Sequence, residues 1–135
     1  MIFRNSFILI GSFLLIASTA FSSSKSDCIR VASKTGLNAR HTIQACNNPS
    51  PFTVGCLLAA NDVAMNGAHT AELCASANGG TSSCIRGRNA QGFNAEHIVQ
   101  FCLGASGSSD EDSCLKAAND AGMNPAHTIE MCGNL

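Results

Sequence analysis

A Cys/His pattern occurs four times in this chain with a fixed internal spacing, and nothing else in the sequence constrains the fold as strongly. The copies run Cys28–Cys46, Cys56–Cys74, Cys84–Cys102 and Cys114–Cys132. In each, the second Cys lies 18 positions after the first, an Asn lies 10 after it and a His 13 after it. From one copy to the next the interval between Cys residues is 10, 10 and then 12. Constant spacing inside a copy and variable spacing outside it place each cysteine's partner within its own unit. The chain therefore reads as a repeat protein with disulfides Cys28–Cys46, Cys56–Cys74, Cys84–Cys102 and Cys114–Cys132.

Aligned, the units are CIRVASKTGLNARHTIQAC, CLLAANDVAMNGAHTAELC, CIRGRNAQGFNAEHIVQFC and CLKAANDAGMNPAHTIEMC. The second and fourth agree at 13 of 19 positions. Each unit reads as a helical hairpin. A helical run opens at the first Cys, with Asp27, Ser83 and Ser113 as N-cap residues. It stops at Gly36, Gly92 or Gly122, each followed by an apolar residue, the signature of a left-handed helix C-cap. The second unit has Ala64 at this point, so its turn is the least regular. Asn38, Asn66, Asn94 and Asn124 then cap the second helix, and Pro125 fits a first helical position. Strands would need alternation of apolar and polar residues, which is missing.

Folding each unit back on itself brings its two Cys together. The same fold-back sets four polar pairs opposite one another: Ser33 with His41, Asn61 with His69, Asn89 with His97, and Asn119 with His127. Helices of about nine residues are marginal alone in water. A disulfide closing a loop of this size contributes about 3 kcal/mol, so the staples decide whether the chain folds. The segments between units, rich in Gly, Ser, Asn and Pro, read as loops. The expected architecture is all-α, four hairpins spanning 27–47, 55–75, 83–103 and 113–133, stacked as an array in preference to loosely tethered beads.

Residues 1–22 read as a secretory signal: Arg4 is the positive start, Phe7 to Phe21 the apolar stretch, and Ser18-Thr19-Ala20 offers small residues for cleavage. The apolar stretch is short for a membrane span, so no stable membrane insertion is expected after cleavage. Eight Cys in a short exported chain imply disulfides, and a periplasmic or extracellular location. From Phe21 onward seven Lys or Arg face nine Asp or Glu, and no basic cluster exists. Nucleic acid is an unfavoured partner. Trp and Tyr are absent, which disfavours aromatic platforms for sugars or bases.

His41, His69, His97 and His127 are the residues that invite a chemical reading. The structural account gives each the polar residue opposite as partner. The alternative is a zinc or copper buffer using the four His. Its geometry is poor: His and the second Cys are five apart on one helix, whereas chelating pairs sit at i, i+4. One His per stacked unit would also be spaced by a helix-packing distance, about 8–10 Å. A Cys–His nucleophile needs one activated thiolate, which fourfold repetition does not suggest. No cofactor is implied. The expected function is an exported, non-catalytic module that is structural or binds a protein or envelope component. A third class is a small secreted effector, inhibitor or antimicrobial-type array, disfavoured by the shortage of cationic residues.

Overall fold

The four capping asparagines set the fold's rhythm. In the computed structural model, which describes residues 24–104 and 109–133, each Asn side chain accepts the backbone N–H of the His three residues on. The distances are 2.9, 2.9, 3.0 and 3.0 Å for Asn38, Asn66, Asn94 and Asn124. Every Asn has extended backbone, so the chain turns sharply into its second helix. The result among the described residues is eight helices and no strands. They are α1 (Lys25–Lys34), α2 (Ala39–Cys46), α3 (Thr53–Asp62), α4 (Gly67–Cys74), α5 (Thr81–Ala90), α6 (Ala95–Cys102), α7 (Ser109–Asp120) and α8 (Pro125–Cys132).

The turn within each hairpin has one geometry. Gly36, Gly92 and Gly122 have positive φ, and Ala64 adopts the same left-handed conformation with φ 54°. The next N–H, from Leu37, Met65, Phe93 or Met123, donates back to the carbonyl of Ala32, Ala60, Arg88 or Ala118 at 2.9–3.2 Å. These bonds satisfy carbonyls that a helix end would leave open. The backbone therefore outweighs the side-chain preference at Ala64, where a Cβ is accommodated at a cost of about 1 kcal/mol.

Each hairpin is closed by its disulfide, with Cα atoms 5.7, 5.5, 5.7 and 5.7 Å apart in chain order. The hairpins stack in two layers. Helices α1, α3 and α5 lie side by side in one, and α2, α4, α6 and α8 in the other. Helix α7 reaches α5 through an ion pair described below. A single apolar cluster runs from Cys28 to Cys132 through all four units, so the hairpins form a packed array.

The first helices begin earlier than the sequence predicts. Asp27, Ser83 and Ser113 are not N-caps but lie inside their helices. Ser24 caps α1, accepting the Asp27 N–H at 3.1 Å, and α7 extends back to Ser109. Phe52 and Gly80, which precede α3 and α5, make no side-chain cap. Instead Thr53 Oγ1 accepts the Ser50 N–H, and Thr81 Oγ1 accepts the Asn78 N–H, both at 2.9 Å. The extra turn is worthwhile because it buries Thr53 and Thr81 completely and carries Val54 into the core. Residues 1–22, the expected signal, lie outside the described residues.

Candidate functional site

Stacking gives every hairpin two unlike faces. The leading face meets the preceding hairpin and the trailing face meets the following one. The residue after the first Cys belongs to the leading face: Leu57, Ile85 and Leu115 are 0%, 0% and 2% exposed. Ala71 and Val99, on the second helices, are buried beside them. The residue before the second Cys belongs to the trailing face, where Ala45, Leu73 and Phe101 are at most 2% exposed.

His41 lies on the trailing side of its hairpin. A Cβ placed on Gly67 would stand 2.7 Å from His41 Nδ1, so His41 of the first hairpin looks onto α4 of the second. His97 Nδ1 is buried without a hydrogen-bond partner, and the ring meets Phe93 edge-on at 6.5 Å. His127, in the last hairpin, is exposed. The expected pairing of Ser33 with His41, Asn61 with His69, Asn89 with His97 and Asn119 with His127 does not form as hydrogen bonds. His69 and His127 contact their own capping Asn instead, with Nδ1 to Nδ2 distances of 2.7 and 3.1 Å. Fold-back counting matches residues by height along the hairpin and ignores rotation about each helix. Rotation turns the His41 ring toward the neighbouring unit and leaves Ser33, Asn61, Asn89 and Asn119 exposed.

All eight cysteines are in disulfides, which leaves no thiolate as nucleophile or metal ligand. Among the described residues no three of His, Cys, Asp and Glu converge on a metal position. Four disulfides are bonds of an oxidising compartment, and no described helix is long and apolar enough to cross a membrane.

Between the third and fourth hairpins the seam changes character. Arg88 and Glu111 are buried, and their side chains meet at 2.9 Å. Arg88 also reaches the exposed Asp112 at 3.1 Å and Gln91 Oε1 at 3.0 Å. Its guanidinium lies over the Phe101 ring at 5.6 Å, and Phe101 packs edge-on against Phe93 at 5.1 Å. Sequence reasoning missed this cluster. The signal available was the repeat register itself, since Arg88 stands where the other units have Ala32, Ala60 and Ala118, and Glu111 where two others have Thr53 and Thr81.

A concavity lies on the leading face of the first hairpin. It is a groove of about 500 Å³ between α1 and α2, lined by Ile29, Leu37, Ile43, Thr42, Lys25 and Ser33 among others. Ile29 and Ile43 are 50% and 67% exposed. A second surface runs along the array. Arg40, Ala68, Glu96 and Ala126, and one turn on Gln44, Glu72, Gln100 and Glu130, are all exposed on the second helices. No known protein family, curated protein or solved structure matches this chain.

Proposed function

We propose that this protein is an exported, non-catalytic binding scaffold, periplasmic or extracellular, released by cleavage of residues 1–22. Its partner is a protein or other envelope component held along the outer face of α2, α4, α6 and α8. One observation carries the reading: the structural framework repeats while the exposed outer face of the second helices varies. The Cys, the capping Asn and the turn recur in all four units, whereas the outward residues change from Arg40 to Ala68, Glu96 and Ala126. A rigid, repeated framework bearing a varied surface is how helical solenoids build extended recognition sites. With every cysteine oxidised, the arrangement offers a partner shape and charge in place of chemistry.

The test places a photo-crosslinking residue at Gln44 and, separately, at Gln100 in the exported protein of the producing cell. The expected result is one saturable crosslinked partner at both positions, competed by purified unlabelled protein and lost when the disulfides are reduced. No saturable crosslink at either position overturns the proposal. So does a non-reducing mass spectrum that shows a fully reduced chain carrying zinc or copper, in place of a chain eight hydrogens lighter than its reduced form.

A further inference from the structure

The two ends of the array expose the same faces that its interior seams bury. The leading face buries Leu57, Ile85 and Leu115 at 0–2% exposure, yet in the first hairpin the matching residue is Ile29 at 50%. Ile43 is 67% exposed where Ala71 and Val99 are 0% and 4%. At the other end the trailing face buries Ala45, Leu73 and Phe101, but Met131 at the same place is 66% exposed. Helical solenoids ordinarily end in units with polar outer faces. Here, among the described residues, both ends keep large apolar residues at positions that elsewhere have a neighbour.

Charge follows the same register. At the second seam Arg86 of α5 reaches Asp62 of α3 at 3.1 Å. Arg86 is the second residue after its Cys and Asp62 the sixth after its own. The first hairpin has Arg30 at the Arg86 place, and the last has Asp120 at the Asp62 place. Among the described residues these two make local pairs, Arg30 with Asp27 and Lys116 with Asp120, each at 2.9 Å and exposed.

We propose that a second copy of this chain docks head to tail, the trailing face of its fourth hairpin covering the leading face of the first. Met131 then seats in the Ile29–Leu37–Ile43 groove, and Asp120 of one copy pairs with Arg30 of the next, continuing the seam already built inside the chain. Such an interface uses two different patches, so each added copy presents the same open patch again and the assembly grows copy by copy unless its rotation closes a ring. The inference concerns the ends of the array and the proposed partner face lies along its length, so either can fail without the other.

Sedimentation velocity on the exported, disulfide-intact protein over a wide concentration range tests it. The expected mass rises with concentration through successive multiples of the protomer. Ile43→Glu and Met131→Glu each hold the protein at one protomer, with unchanged circular dichroism because both side chains are exposed. An equimolar mixture of the two variants forms a dimer and nothing larger, since one supplies an intact tail and the other an intact head. Three outcomes overturn the proposal: a protomer at every concentration; association that survives Met131→Glu, which marks a head-to-head dimer; or a variant mixture that stays monomeric.

Discussion

The seam between the second and third hairpins and the seam between the third and fourth solve one packing problem in two ways. In the former, α3 and α5 lie close, with Ala60 and Thr81 buried and small. In the latter the same two places hold Arg88 and Glu111, paired at 2.9 Å and each 7% exposed at the side chain. The connecting segment there is longer by two residues as well. The comparison teaches that one register can hold two chemistries, with α7 packed less closely on α5 than α5 is on α3. A repeat array tolerates a polar seam provided both partners change together, because a buried charge left alone is far costlier than a buried pair.

Breaking the comparison gives the largest expected effect. Arg88→Met removes the guanidinium 2.9 Å from Glu111, and breaking such a buried pair should destabilise the protein by about 3–5 kcal/mol in chemical denaturation. The paired change Arg88→Met with Glu111→Leu should restore stability to within about 1 kcal/mol of the parent or raise it. If the double variant is as unstable as the single, the seam depends on the ion pair itself rather than on matched partners.

Removing staples sharpens the contrast between an interior unit and a terminal one. Cys56→Ala with Cys74→Ala should cost about 3 kcal/mol from loop closure alone, and protection in hydrogen exchange should fall in the neighbouring hairpins too. Cys114→Ala with Cys132→Ala has one neighbour to disturb. Its loss of protection should be concentrated in α7 and α8, where hydrogen exchange resolved by residue would reveal it.

Two smaller changes probe backbone and surface. Ala64→Gly relieves a left-handed alanine and should raise stability by about 0.5–1 kcal/mol, read as a higher thermal midpoint. Arg86→Ala removes an ion pair whose side chains are 51% and 60% exposed. It should shift stability by no more than about 0.5 kcal/mol, and less in high salt.

The hairpins, their disulfide pairing and the turns were legible in the sequence because each is settled within about twenty consecutive residues by spacing and capping chemistry. What was not legible lies across the seams. Thr53 and Thr81 looked like loop residues, and only burial against the preceding hairpin makes them the first turn of a helix. Arg88 and Glu111 are 23 residues apart and resemble ordinary surface charges in sequence. The histidines show the same limit: their height along the hairpin could be counted, but the direction each ring faces depends on rotation about the helix, which that count ignores.

The placement of the disulfides also decides what a protease can do to this molecule. Each bond spans a turn between two helices and none joins one hairpin to another. A cut at any of the four turns, at Asn38 or Asn94 for instance, leaves both fragments covalently joined and the stack in register. A cut between Asn47 and Phe52, by contrast, divides the chain into separable pieces. In an environment that holds both oxidants and peptidases, the turns can be nicked while the molecule stays whole, and its lifetime is decided in the three short segments between hairpins.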